Sequence, residues 1–246
     1  MIYTTFARVY DQLMDKDLYR QWYNYAQERL QLPAGAPLLE LACGSGDLAI
    51  QFAQAGLNVT GLDFSAEMLA LADQKQQAAG TDVEWVEGDM RALEGLGPFQ
   101  AVTCFDDSLC YMPDLDNVQQ VFQQVYQVLA PGGTFLFDAH SIYQIDEFFP
   151  GYMYNYKEEE MAFMWTSYEG DVPHSIEHDL SFFVWDDEIQ GYQELNELHH
   201  ERTYPLAAYQ QALTQAGFTG IQVTADFGRQ EVQPESGRWF FEAHKD

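Results

Sequence analysis

A chain of 246 residues, 47% of them hydrophobic, carries enough apolar side chain for one sizeable core, as a single domain or a domain with an insertion. Its 39 acidic residues against 11 basic ones give a formal charge of −28, which disfavours nucleic acid, anionic membranes and polyphosphates, since all of these need a basic face. Neutral or cationic small molecules and basic proteins remain admissible partners.

In chain order, residues 4 to 30 read as helical. Phe6, Val9, Tyr10 and Leu13 share one face; Tyr19, Trp22, Tyr23 and Ala26 share another, after a break near Asp15 to Asp17. Such an aromatic segment either covers a cleft as a lid (residues 1–32) or packs on the core. Its start, MIYTTFARVYDQL, has neither a basic beginning nor an apolar signal core, and the chain has no run of about 18 apolar residues. A cytoplasmic protein without a membrane span is expected. Three cysteines, Cys43, Cys104 and Cys110, without a CxxC pair, read as reduced core thiols.

Pro33, Gly35 and Pro37 lead into the stretch that organises the chain. Leu38, Leu39, Leu41 and Ala42 form a short buried strand, stopped by Gly44-Ser45-Gly46. Leu48, Phe52 and Ala55 recur at helical spacing up to Gly56, and a second strand, Asn58 to Leu62, delivers Asp63 at its carboxyl end. Strand, glycine turn, helix, strand and acid make the first half of a nucleotide-binding α/β unit. Asp63, 19 residues after Gly44, is placed to grip ribose hydroxyls.

A helix opens at Ser65, its expected N-cap, and ends at Gly80. A third strand, Val83 to Glu87, is followed by Gly88-Asp89-Met90. A fourth, Ala101 to Phe105, ends in Asp106-Asp107-Ser108. Val118, Val121, Val125 and Leu129 line one helical face. Pro131-Gly132-Gly133 reads as a tight turn before a fifth strand, Thr134 to Phe137, that ends at Asp138-Ala-His140. Strands alternating with helices imply a parallel sheet, and ligands collect at the carboxyl ends of its strands. Asp63, Asp89, Asp106 and His140 occupy four such ends.

Residues 141 to 204 depart from this alternation. Met161 to Tyr168, then Ile176, His178, Leu180, Phe182 and Val184, read as strands; Asp186-Asp187-Glu188 reads as a turn, and Tyr192 to Thr203 returns. An antiparallel insertion of about four strands is expected, followed by a helix from Leu206 to Gln215 and strands Phe218 to Ala225 and Arg238 to Ala243. The expected organisation is a nucleotide-binding domain of residues 1–140 and 205–246, with 141–204 as a cap over the acceptor or a contact in a homodimer.

The glycine turn fits two ligands. Gly44-x-Gly46-x-x-Ala49 also satisfies the dinucleotide fingerprint. However, Glu40 and Asp47 bracket the turn, where they would repel a pyrophosphate and suit the sulfonium and ammonium of S-adenosylmethionine (SAM). Asp47 is also open to a plainer role, favouring the helix amino end.

LLELACGSG, VTGLDFS, VEGDM and VLAPGGTFLFD resemble the successive motifs of class I SAM-dependent methyltransferases over residues 36 to 140, and FARVYDQLM…YRQW with DDSLCYM resembles the bacterial, small-molecule-type, YqeM-like branch. The resemblance implies an α/β fold, a doubly wound, mostly parallel sheet of seven strands with the last antiparallel. It implies that Glu40, Ala42, Gly44 and Gly46 line the methionine part of SAM, and that Asp63 holds the ribose with Phe64 against adenine. Asp89 would then accept from the adenine amino group beside Met68 and the Met90 backbone. Asp106 and Ser108 would flank the transferring methyl, and Tyr10 would close from the amino-terminal helix. Phe64 and Met90 have core packing as the competing role, and Tyr10 has helix packing.

The expected reaction is in-line methyl transfer from SAM to an amine, hydroxyl or acidic carbon of a small molecule, leaving S-adenosylhomocysteine. A hydroxyl or carbon acceptor calls for a general base. His140 is the first candidate, with Tyr111, Tyr143 and His178 weaker, and a structural histidine is the competing role for His140 and His178. No metal is expected: His199 and His200, near Glu197 and Glu201, point to opposite faces of a strand. Two other readings stay open, an NAD-dependent oxidoreductase and a SAM-binding regulatory protein without transfer activity.

Overall fold

A computed structural model describes residues 16–246. The opening segment is therefore seen from helix α1 (Lys16–Leu30) onward; Phe6, Val9, Tyr10 and Leu13 lie outside the described residues. Trp22, Tyr25 and Ala26 of α1 are buried, so this half of the segment packs into the core rather than over a cleft.

The main sheet contains β1 (Pro37–Leu41), β2 (Asn58–Asp63), β3 (Val83–Glu87), β4 (Phe99–Cys104) and β5 (Leu129–His140). After an inserted sheet come β10 (Thr219–Thr224) and β11 (Arg238–His244), giving the order β10-β11-β5-β4-β1-β2-β3. β11 runs antiparallel to both neighbours, and the pairs among β1 to β5 are parallel. The seven-stranded, mostly parallel α/β sheet is thus as expected.

Period-two alternation divides the apolar residues between the sheet's two faces. Leu39, Leu41, Val102, Cys104, Phe135, Phe137 and Phe241 meet α4 (Leu115–Val128) and α5 (Leu206–Ala216) on one face. Leu38, Ala101, Phe105, Leu136 and Phe240 meet α1 and α2 (Asp47–Gln54) on the other. Phe137 and Phe241, opposite each other on β5 and β11, stack with centroids 4.4 Å apart. Side-chain caps set two helix starts: Ser65 accepts from Met68 N at the head of α3 (Ala66–Ala79), and Asp114 from Asn117 N at the head of α4.

One expected boundary changes. Pro131-Gly132-Gly133 does not separate helix from strand; it is absorbed into β5, which begins at Leu129. The register with β4 slips from Phe99↔Leu129 to Ala101↔Thr134, and Gly132 N and Gly133 O bond instead to Lys245. A turn signal inside a strand is here a bulge, its backbone groups satisfied by the antiparallel neighbour's end.

Between β5 and α5 lies a separate antiparallel sheet, β6 (Met153–Lys157), β7 (Met161–Glu169), β8 (Ser175–Asp186) and β9 (Gly191–Arg202), paired in chain order. Phe163, Phe182 and Leu195 stand opposite one another and fill its small core with Met161 and Leu180. Phe149, on the π-helical turn Gln144–Phe148 and its cap, packs against Ile176 and thereby joins the two sheets.

Candidate active site

The glycine turn is held from below and open above. Ala42, Gly44 and Gly46 all have positive φ (51°, 52° and 81°). Asp63, buried at the end of β2, accepts from Gly44 N through Oδ2 (2.8 Å) and from Ser65 N through Oδ1 (2.9 Å), so it ties the turn to the start of α3. Burial raises its carboxyl above the usual range, with these amide bonds opposing.

The two glycines serve different ends. A Cβ on Gly44 would meet nothing within 4 Å, which leaves its face free for a ligand, whereas one on Gly46 would lie 2.6 Å from the Trp85 ring. Gly61 on β2 is pressed by the same indole, 2.5 Å from where its Cβ would be. Trp85 from β3 therefore underlies the turn, and Gly46 and Gly61 are there to admit it. The clue in the sequence was a glycine in mid-strand, which marks a close approach.

The two acids that bracket the turn differ in state. Asp47 is paired with Lys75 of α3, which also donates to Ser45 Oγ (2.9 Å), so Asp47 is not the free repulsive charge expected from the sequence. Glu40 is 5% exposed, and its Oε2 is a buried oxygen with no hydrogen-bond partner. Burial, reinforced by Asp47, pushes its carboxyl well above the usual range. Phe64 is 81% exposed, which removes core packing as its role, whereas the Met90 side chain belongs to the core. Met68 is half-buried in the first turn of α3. Asp89 takes a guanidinium bond from Arg91 Nε at 3.0 Å and another from its NH2 at 2.5 Å, so it is a paired carboxylate and lies below its usual range.

At the ends of β4 and β5 the structure assembles a group that the sequence scatters. Asp106 and Asp107 are both left-handed (φ 57° and 48°), a conformation that aspartate tolerates better than most residues. Asp138, fully buried, holds this bend: its Oδ1 accepts from Asp107 N (2.9 Å), its Oδ2 from Trp22 Nε1 (2.7 Å) and Arg238 NH1 (2.8 Å). Arg238 NH2 also donates to Asp107 Oδ1 (2.5 Å) and lies 4.0 Å from Asp106. Burial pushes the Asp106 carboxyl up to about 8, with Asp107 adding and Arg238 opposing, yet a quarter of its side chain stays open. For Asp107, burial acts upward, but His140 and Arg238 outweigh it and hold the group below the usual range.

His140 is buried, its Nε2 lying 3.3 Å from Asp107 Oδ1 and 3.5 Å from Glu201 Oε2. Burial lowers the imidazole to about 4, so the ring is neutral at pH 7. Glu201, the buried end of β9, also faces His178 Nε2 at 3.5 Å and is pushed well above the usual range by burial and then by Asp107. Tyr111 is 43% exposed, its hydroxyl 2.9 Å from His199 Nδ1, and Ser108 Oγ donates to Phe105 O (2.7 Å). Tyr10 lies outside the described residues. The sequence had no local signal for Arg238, Asp138, Asp107 or Glu201 as a group.

Comparisons with known proteins bear on the family and the fold. Residues 38–133 fit a family described as a methyltransferase domain. "Putative methyltransferase YqeM" of Bacillus subtilis is 40% identical over all of this chain and 98% of its own. The chain belongs to the class I SAM-dependent methyltransferases. A solved SAM-dependent methyltransferase from Clostridium acetobutylicum is 27% identical, with a TM-score of 0.86 over 99% of this chain and 98% of that one. The sugar N-methyltransferase KedS8 of Streptoalloteichus has the same fold: 20% identity and a TM-score of 0.73, over 92% of this chain and 87% of that one. For this methyltransferase the oxidoreductase and non-catalytic readings are therefore set aside. Its own residues suit SAM: the orphan Glu40 Oε2 awaits a donor, Gly44 presents open backbone and Phe64 an open ring. Among the described residues, no helix is long and apolar enough to cross a membrane.

Proposed function

We propose that this methyltransferase acts on the amine nitrogen of a small molecule, with Asp106 receiving the proton that the amine must lose. One observation carries the reading: Asp106 is a partly open carboxyl at the end of β4, raised to about 8, which suits a group that must take up a proton near neutral pH. The overall charge of −28 draws cations toward such a site. KedS8, an N-methyltransferase by name, shares the fold, which adds a weaker argument.

When bound, SAM supplies an electrophilic methyl that a desolvated lone pair displaces in line. Glu40 Oε2 would accept from the ammonium of its methionine part, beside the backbone of Ala42, Gly44 and Gly46. Asp63 would bind the ribose hydroxyls with lone pairs left over from its two amide bonds. Phe64 would cover the adenine, with Met68, Asp89 and the Met90 backbone at its edge and Tyr10 closing from the amino-terminal segment. Asp106 and Ser108 would stand by the methyl, and Tyr111 on the acceptor side. His140 has little contact with solvent, so in this reading it supports Asp107 from behind instead of meeting the acceptor. The inserted sheet would shape the acceptor pocket.

Calorimetric titration with SAM and S-adenosylhomocysteine, followed by a turnover screen across amines, phenols and acidic carbon compounds, tests this. Asp106→Asn is expected to bind SAM, to lower kcat/KM for the amine about 10²–10⁴-fold and to remove an acid limb near pH 8. An unchanged pH profile in a folded Asp106→Asn protein, or turnover with oxygen acceptors alone, defeats the amine reading.

A further inference from the structure

Asp107, His140 and Glu201 each offer one ligand atom, and these atoms lie within 4.8 Å of one another in a fully buried group. The edges from His140 Nε2, 3.3 Å to Asp107 Oδ1 and 3.5 Å to Glu201 Oε2, are close to the roughly 3.4 Å between ligand atoms that sit about 2.0–2.1 Å from a tetrahedral ion. A second observation is independent of this spacing: Glu201 Oε2 is buried with no hydrogen-bond partner and is the oxygen turned toward His140. A buried carboxyl oxygen left bare is costly, and Arg238, the guanidinium within this group, is already engaged by Asp107 and Asp138.

Around the three ligands, His140 Nδ1 is buried without a hydrogen-bond partner. His178 Nδ1 accepts from Trp165 Nε1 (3.1 Å), which fixes the ring's proton on Nε2, the nitrogen 3.5 Å from Glu201 Oε1. His178 Nε2 has no hydrogen-bond partner, so this ring lies beside Glu201 without holding it and is not counted as a ligand. Arg238 occupies one lone pair of Asp107 Oδ1, and a carboxylate oxygen has two. An amine acceptor is too bulky for atoms already this close and this buried, whereas a bare ion fits between them.

We propose that Asp107, His140 and Glu201 bind a divalent transition ion of the zinc class, its fourth position taken by water. The three ligands come from the end of β4, the end of β5 and the end of β9, so the ion fastens the inserted sheet to the carboxyl edge of the main sheet, directly behind Asp106.

The test titrates the full chain, freed of metal by a chelator, with Co2+ while visible absorption is followed. One equivalent is expected to give the intense bands of four-coordinate Co2+, and Zn2+ is expected to displace it. Glu201→Gln is expected to abolish the bands, and His200→Ala, on the exposed face of β9, to change nothing. No stoichiometric uptake, bands that survive Glu201→Gln, or bands lost in His200→Ala would overturn the proposal. Should Glu201→Gln fail to fold, proton NMR of the wild-type Co2+ form decides: one hyperfine-shifted imidazole supports the site, and none or two refute it. SAM titration of the same samples reports on the cofactor site separately.

Discussion

At the scale of single residues, Glu40 and Asp63 show how two buried acids differ in what they owe the fold. Asp63 is built into it, since both oxygens take backbone amides. Asp63→Ala is expected to weaken SAM by about 1.5–3 kcal/mol for each charge-assisted bond lost, and to destabilise the free protein as Gly44 N and Ser65 N lose their acceptors. Isothermal titration and denaturant melts measure both; unchanged affinity in a folded protein would remove the ribose role. Glu40 keeps a bare oxygen, and its folded carboxyl lies above the unfolded value of 4.5. The folded state thus holds the proton longer, and stability is lost as pH rises from about the unfolded value through the folded one. Glu40→Gln removes that loss, so its Tm relative to wild type should rise more at pH 8 than at pH 4, while SAM affinity falls. Equal Tm differences at the two pH values would contradict a strained carboxyl.

At the scale of elements, the glycine turn depends on β3 as much as on its own residues. Gly61 has ordinary strand geometry, so a Cβ there adds steric conflict with Trp85 without backbone strain. Gly61→Ala is therefore expected to cost about 1–3 kcal/mol as overpacking, and Trp85→Leu in the same chain to recover part of it. Additive losses in the double mutant, read from denaturant melts, would show that Trp85 is not what Gly61 accommodates. The elements around the turn were legible because they are local: the Leu38 to Leu41 run, Ser65 as a cap and Asp63 at a strand end each announce themselves within a few residues. The bulge in β5 was not, because only the pairing of Gly132 and Gly133 with Lys245 makes that turn part of a strand.

At the scale of the whole molecule, a formal charge of −28 sets long-range repulsion against compactness. Raising salt from about 0.01 M to 1 M shortens the screening length from about 30 Å to 3 Å and should relieve it. The Tm is expected to rise by roughly 2–4 °C for each kcal/mol relieved. A scan in sodium chloride that stays flat or falls would mean that local pairs such as Lys75–Asp47 and Arg238–Asp107 already balance the field. The same charge bears on the acceptor, since it concentrates cations around a site whose open carboxylate is Asp106.

The sequence by itself determined the alternation of strand and helix, the glycine turn with its distant ribose acid, and the antiparallel insertion, because each follows from spacing along a short piece of chain. Tertiary structure alone decided that Asp47 is neutralised by Lys75, and that Trp85 claims the space at Gly46 and Gly61. It also brought Asp107, Asp138, His140, Glu201 and Arg238 into one buried group. No periodicity links those positions: they meet because β4, β5 and β11 are neighbours in one sheet and the end of β9 returns to their edge, a pairing set by long-range strand order.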